Sequence, residues 1–106
     1  MRTCEKHIQQ IANTPDDEIN KAITAHVYAG HEPADPLKFT ESRDLCFVFE
    51  KPLVQSHGLH WTFYVNYLSM LEDFTEIEDR WNIICASPKL RARAFVLTMG
   101  LIQYKP

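Results

Sequence analysis

The chain has 106 residues, of which 45% are hydrophobic and 24% charged, and its formal net charge is −3. This length allows one domain with a buried core, and the acidic balance excludes bulk attraction to nucleic acid or to an anionic membrane. The apolar runs are far shorter than the roughly 20 residues of a membrane span, and the N-terminus lacks the apolar segment of a secretory signal. We therefore expect a cytoplasmic protein without membrane or nucleic-acid partners.

We expect a single domain over residues 1–106, with its core over residues 14–103. In the leading segment 1–13, Ile8 and Ile11 lie at helical spacing and indicate a short helical turn that frays.

A helix is predicted to begin at Thr14 and to end near Ala29. The capping hydroxyl, the following proline and three carboxylates in the first turn are typical of a helix N-terminus. Gly30 is placed to close the helix. The apolar stripe follows the spacing i, i+3, i+4, i+7 and i+8 and consists of Ile19, Ala22, Ile23, His26 and Val27.

Two prolines predict a loop over residues 31–36. Residues 41–54 fit either of two structures. The residues that fit a helix are Leu45, Val48, Phe49, Pro52 and Leu53. The residues that fit a strand are Leu45, Phe47 and Phe49. We favour the helix, capped by Thr40 and with Pro52 near its end.

Residues 59–67 alternate in polarity and predict a strand. The side chains on its aromatic face are Trp61, Phe63, Val65 and Tyr67. A second strand over residues 80–86 is expected to pair antiparallel with the first. Ser87 can cap a helix and Pro88 fits its first position, which predicts a last helix that reaches Ile102.

The order of elements is then α-α-β-β-α, which predicts an α+β fold. Because a two-stranded hairpin is marginal alone, helices are expected to cover a small antiparallel sheet as a helix–sheet–helix sandwich, which a dimer could complete. Two strands and three helices of this length cannot readily hide all the aromatic side chains, which predicts a homodimer or larger homo-oligomer. These side chains are Trp61, Phe63, Tyr64, Tyr67, Phe74, Trp81 and Tyr104.

Several segments carry a family resemblance. They are the capped helix with Asp17 to Ile23, the opening Phe39 to Ser42, the strand with Trp61, the helix start Ala86 to Pro88, and Arg93 with Ala94. Over residues 14–103 the chain resembles the phage ABA-sandwich domain family. The resemblance implies a small phage or prophage protein in the bacterial host cell, with helices on both faces of a sheet and no catalytic residues to transfer.

Three cations, Lys89, Arg91 and Arg93, lie in the first turns of the last predicted helix. Positive charge opposes the helix dipole there, and Lys89 and Arg93 repel each other, so helix stability does not explain them. One interpretation is that they bind phosphate or an acidic partner. The other is that they form a solvated face that balances the acidic segment 72–79.

An acidic cluster lies between the two predicted strands. It consists of Glu72, Asp73, Glu76, Glu78 and Asp79. These carboxylates can dock on a basic host protein or simply form a solvated connection. Tyr64 lies on the more polar strand face and is a candidate for the floor of a small-molecule pocket.

Metal binding and catalysis have weaker support. A zinc site could draw on Cys4, His7, His57 and His60, but these residues form two pairs far apart in sequence, and we predict no metal. Cys46 and Cys85 are predicted to be buried, which argues against a catalytic thiolate. Because phosphate-binding and metallopeptidase motifs are also absent from the sequence, we predict no cofactor and no enzymatic activity.

Two functions remain open. The first is a non-enzymatic, phage-type accessory protein that binds, and in doing so inhibits, a host defence or regulatory protein. The alternative is a small-ligand or nucleotide-binding module that uses the cations of the last helix.

Overall fold

The computed structural model describes residues 5–55, 58–72 and 86–105. Within these ranges the chain forms helices and no strand. The helices are α1 (Glu5–Ala12), α2 (Asp16–Val27), α3 (Arg43–Gln55), α4 (Leu59–Glu72) and α5 (Pro88–Met99). The prediction of an α+β sandwich is therefore wrong, because the described part of the chain is an all-helical globule.

The first predicted strand, over residues 59–67, is the N-terminal part of helix α4. Alternation over residues 59–67 is misleading, because this stretch is too short to separate a period of two from the period of a helix. Extended by one more turn, the buried side chains follow the spacing i, i+3, i+4 and i+7 of a helix. They are Tyr64, Tyr67, Leu68 and Leu71. Aromatic and β-branched residues favour strands in general, but burial of this stripe against the other helices overrides that preference.

The second predicted strand, over residues 80–86, lies outside the described residues except for Ala86, which is not in a strand. The described ranges therefore contain no sheet face that a dimer would complete.

Helix α5 lies at the centre of the fold and contacts each of the other four helices. Its residues from Leu90 to Leu97 are all buried, so α5 has no solvent-facing side along this stretch. The predicted start is confirmed, since the Ser87 hydroxyl accepts a hydrogen bond from the Leu90 amide at 3.3 Å. The helix ends before Ile102, because Gly100 adopts the left-handed conformation with φ of 64° and closes the last turn.

Helix α2 confirms the predicted second helical segment, but Thr14 does not cap it. The Thr14 hydroxyl instead donates to the Gln10 carbonyl at 2.7 Å, closing the end of helix α1. The helical spacing of Ile8 and Ile11 in the leading segment is matched by α1, and both side chains lie in the core. Helix α1 is thus packed against the rest of the fold, while residues 1–4 lie outside the described residues.

Helix α3 confirms the helical alternative for residues 41–54. Its cap is Ser42, whose hydroxyl accepts from the Leu45 amide at 3.2 Å. Thr40, the predicted cap, is buried and paired with Asn20 of α2, whose side chain accepts from the Thr40 amide and donates to its hydroxyl, both at 3.0 Å. Two loop-to-helix hydrogen bonds therefore fix the chain just before α3.

Aromatic rings join three of the helices around the centre. Phe49 of α3 stacks on Phe95 of α5 with ring centroids 4.3 Å apart, and it meets the edge of Tyr64 of α4. Such pairs add to the stabilisation from apolar burial. Over the described ranges, the helices are all too short or too polar to cross a membrane.

Candidate binding site

Helix α3 carries a second stripe beside the one it buries. The core stripe contains Cys46, Phe49 and Leu53. The second stripe again has the spacing i, i+3, i+4 and i+7 and consists of Phe47, Glu50, Lys51 and Val54. Its two apolar members, Phe47 and Val54, are each 59% exposed and are not covered by the rest of the described chain, whereas Glu50 is buried and Lys51 is an exposed cation.

The second stripe lines a groove of about 590 Å³, which we call the α3 groove. Its lining residues are Arg43, Asp44, Phe47, Glu50, Lys51 and Val54 of α3, Trp61 of α4 and Arg91 of α5. This volume is within the range of pockets that take a small molecule or a large side chain. The groove has apolar walls, a polar floor and a charged rim.

Two of the lining residues, Glu50 and Arg91, belong to a buried network of three polar side chains from three helices, of which the third, Tyr64, lies beneath the groove without lining it. Glu50 and Arg91 are each 5% exposed and form an ion pair through Glu50 Oε2. The Tyr64 hydroxyl donates to the same oxygen at 2.8 Å. The Arg91 Nε group donates to the Ala86 carbonyl at 2.8 Å, which ties the residue before Ser87 to the network.

The second carboxylate oxygen of Glu50 differs from the first. Oε1 is buried, and no hydrogen-bond donor among the described residues reaches it. Because an unpaired buried acceptor loses its hydration without compensation, this atom is the least satisfied polar group of the floor.

Burial and the charge of Glu50 in this network also raise the pKa values of two neighbouring side chains, Tyr64 and Cys46. Burial, the charge of Glu50 and the hydrogen bond to it raise the pKa of the Tyr64 phenol far above its usual range, so Tyr64 acts as a donor and not as an anion. Burial and Glu50 raise the pKa of the Cys46 thiol to about 12. Cys46 is thus a protonated core residue, which agrees with its predicted burial and is unsuited to nucleophilic catalysis.

The rim of the α3 groove carries two cations, Arg43 and Lys51, and one anion, Asp44. All three side chains are exposed, and none has an ion-pair partner within the ranges that the structure describes. They leave the rim with an excess of positive charge that is available to a partner.

A second buried arginine has a structural task. Arg93 is 6% exposed and donates to three backbone carbonyls, those of Ile11 at 3.1 Å, Thr14 at 2.6 Å and Lys89 at 3.2 Å. It also pairs with Asp16 at 2.7 Å. Arg93 thereby satisfies the carbonyls at the end of α1 and the carboxylate at the start of α2, and joins both helices to α5.

Asp16 shows the electrostatic effect of this cluster. Partial burial opposes its ionisation, but the hydrogen bond and charge of Arg93, with a further contribution from Lys89 at 3.5 Å, outweigh burial and lower its pKa. The carboxylate is therefore ionised throughout the neutral range and fixed between two cations.

The residues predicted as binding residues do not form one common site. Arg91 and Tyr64 meet in the Glu50 network, whereas Arg93 and Lys89 meet at Asp16. Within the predicted acidic cluster, Glu72 is the last residue of α4, and Asp73, Glu76, Glu78 and Asp79 lie outside the described residues.

The α3 groove was not predicted, because Phe47 was assigned only to the strand alternative for residues 41–54 and Val54 to neither alternative. The second stripe, which includes Phe47 and Val54, was available in the sequence. The pairing of Glu50 with Arg91 spans 41 positions along the chain and leaves no local signal.

A second, smaller groove of about 380 Å³ lies between α2, α3, α4 and α5. It contains His26 and His60 among apolar side chains. Of the residues weighed for zinc, Cys4 and His57 lie outside the described residues, and the Nε2 atom of His7 lies 3.0 Å from the Ile102 carbonyl oxygen. Among the described residues, no group of three or more metal-ligating side chains comes together.

Comparison with known proteins gives no match, since no protein-family model, no curated protein and no solved structure is detectably similar to the chain. The resemblance to the phage ABA-sandwich domain family stays a prediction about origin, and the sheet sandwich that it implied is not the fold of the described residues.

Proposed function

We propose that the protein acts by binding another protein through the α3 groove and has no enzymatic activity of its own. The observation that carries this proposal is the exposure of two apolar side chains of α3, Phe47 and Val54, each 59% exposed, in a groove that is also lined by the buried pair Glu50 and Arg91. Exposed apolar side chains grouped on one surface and rimmed by charge are typical of interaction sites.

The proposed partner is a host bacterial protein, and binding inhibits it. This partner class rests on the sequence resemblance to small phage proteins, as does the location in the bacterial cytoplasm. The exposed cations Arg43 and Lys51 favour a partner with acidic residues around its contact site.

The alternative, a nucleotide-binding module based on the last helix, has less support. Arg91 is engaged with Glu50, and Arg93 holds Asp16 and three carbonyls. Lys89 is more exposed but lies against Asp16. Phosphate binding there would have to break buried ion pairs that stabilise the fold.

The proposal is tested by capture from bacterial lysate with matched variants. Phe47→Glu places a charge in the α3 groove, and Met70→Glu is the control, because Met70 is 44% exposed. Met70 lies about two and a half helical turns from Trp61 and thus on the other side of α4. We expect a protein that wild type and Met70→Glu capture and Phe47→Glu does not.

Two results would contradict the proposal. One is recovery of the bait alone from lysate, and the other is capture that Phe47→Glu leaves unchanged. Equal urea midpoints for both variants would show that a loss of capture is not a loss of folding.

A further inference from the structure

We propose that the second groove, which we call the His26–His60 groove, binds a small uncharged molecule that is largely apolar and carries a hydroxyl or N–H donor. The donor pairs with the backbone carbonyl of Val48. This site is separate from the proposed function, because the His26–His60 groove and the α3 groove share no lining residue.

The His26–His60 groove is an apolar concavity bordered by α2, α3, α4 and α5. Apart from the two histidines, its lining residues are all apolar. Its volume of about 380 Å³ lies within the range of pockets that take small molecules, and the space between packed helices is a common place for such pockets.

Aromatic side chains form the inner part of this groove. Phe49 and Phe95 stack with ring centroids 4.3 Å apart, and the His26 ring meets the edge of the Phe95 ring at 5.8 Å. Both phenylalanines line the groove although they are only 2% and 4% exposed, so they lie at its base. A flat apolar ligand would extend this aromatic cluster, which adds ring contacts to the gain from apolar burial.

The polar groups of the lining fit an uncharged ligand. No carboxylate, ammonium or guanidinium group of the described residues lines the groove. A charged ligand would therefore lose hydration without gaining a fixed opposite charge. His26 and His60 can each donate or accept a hydrogen bond through a neutral ring, which suits an uncharged polar group.

Pro52 leaves a backbone acceptor at this groove without its helical donor. In a regular helix the Val48 carbonyl would accept from the amide of residue 52, but proline has no N–H and its ring displaces that carbonyl. Val48 and Pro52 both line the groove, and Val48 is 39% exposed. The carbonyl between them therefore borders the groove, and a ligand hydroxyl or N–H would supply the hydrogen bond that α3 cannot.

The test is an NMR titration of the ¹⁵N-labelled full chain with three probes that share a naphthalene ring. 2-Naphthol has a hydroxyl donor, 2-methoxynaphthalene keeps the oxygen but cannot donate, and 2-naphthoate carries a negative charge. We expect 2-naphthol to bind about fivefold more tightly than 2-methoxynaphthalene, as one neutral hydrogen bond implies. We also expect 2-naphthoate to bind more weakly than 2-naphthol, and the largest shifts to fall on Val48, Leu53 and Phe95.

Pro52→Ala is the matched variant, because alanine restores the N–H that pairs with the Val48 carbonyl within the helix. Both neutral probes lose the same proline contacts, but only 2-naphthol loses its acceptor, so the ratio of their affinities should fall from about five to about one. A urea midpoint no lower than that of wild type shows that the variant is folded. Val54→Ser, which changes the α3 groove, is the control and should leave both affinities unchanged.

Several outcomes would overturn the proposal. They are no measurable binding of 2-naphthol, equal affinities of 2-naphthol and 2-methoxynaphthalene for wild type, tighter binding of 2-naphthoate, and a ratio that Pro52→Ala leaves unchanged. Shifts centred on Phe47 and Trp61 would also overturn it, because they would place the probe in the α3 groove. None of these outcomes decides the lysate experiment, so this proposal and the proposed function fail separately.

Discussion

Arg91 and Glu50 illustrate how a buried ion pair fixes a helical fold without adding much net stability. Each charge is removed from water, and the attraction between them mainly repays that loss. Tyr64 donates to the same carboxylate oxygen, so three helices are held in one relative position. Removing one charge should therefore lower the free energy of unfolding more than removing both.

We predict this difference for a double-mutant cycle. Arg91→Met and Glu50→Met should each lower the free energy of unfolding by about 3–5 kcal/mol, because each leaves a buried charge without its partner. The double variant should lose at least about 2 kcal/mol less than the sum of the two single losses. Urea unfolding provides the measurement, and additive losses would show that the two charges do not depend on each other.

The lowered pKa of Asp16 leads to a prediction about the stability of the fold in acid. Its pKa is lowered in the folded protein, so its ionised form stabilises the fold above the ordinary value of 3.8, and this contribution is lost as the pH falls through the lowered value. Asp16→Asn should cost about 1 kcal/mol at pH 7 and progressively less below pH 4. Urea midpoints at a series of pH values measure the difference, with exposed Asp17→Asn as the control. A difference between wild type and Asp16→Asn that is independent of pH would be inconsistent with this role.

At the scale of the element, the start of α5 was predictable, whereas Thr14 and Thr40 do not cap the helices that they were expected to cap. Ser87 and Pro88 specify the start of α5 through local chemistry, and that prediction is confirmed. The interior of α5 was not predictable in the same way. Arginine side chains normally lie at the surface, whereas Arg91 and Arg93 are buried and bonded to partners remote in sequence. Amphipathic patterns arise when one side of a helix faces solvent, and α5 is buried on all sides from Leu90 to Leu97.

Helix α4 shows why a short window can assign the wrong structure. Nearly every residue from Trp61 to Tyr67 is aromatic, β-branched or small and polar, so alternation fits by chance over seven positions. The longer stripe ending at Leu71 separates the two periods. Which face of α4 is buried depends on α5, and no local pattern contains that information.

The cap of α5 can be tested alone. Ser87→Ala removes the acceptor of the Leu90 amide and should lower the free energy of unfolding by about 1 kcal/mol. Ser87→Asp should retain most of the stability, because aspartate is an equally good cap. Thermal or urea unfolding of the two variants gives the comparison. Equal losses in both would mean that the hydroxyl does not cap the helix in solution.

At the scale of the whole molecule, the expected homo-oligomer is still a prediction. That prediction was based on aromatic side chains that one chain could not bury, but two of them, Tyr64 and Tyr67, are buried within one chain. Phe74 and Trp81 lie outside the described residues, while Phe47 and Val54 add exposed apolar surface.

We expect light scattering at tens of micromolar to give at least twice the chain mass of 12.4 kDa. We also expect the Phe47→Glu variant to have the same mass, because the α3 groove is proposed to bind a different protein and not a second copy of this chain. A monomeric wild type would disprove the oligomer. A dimer that Phe47→Glu dissociates would make the groove a self-interface and contradict the proposed function.

The α3 groove exists only if residues 59–72 form a helix packed on α5, because this helix supplies Trp61 to the groove and Tyr64 to the buried network beneath it. Backbone NMR assignment of this segment tests it most directly. We predict downfield Cα secondary shifts throughout and contacts from each α-proton to the amide protons three and four residues later. Upfield Cα shifts with cross-strand contacts over residues 59–67 would contradict the helix, and with it the groove.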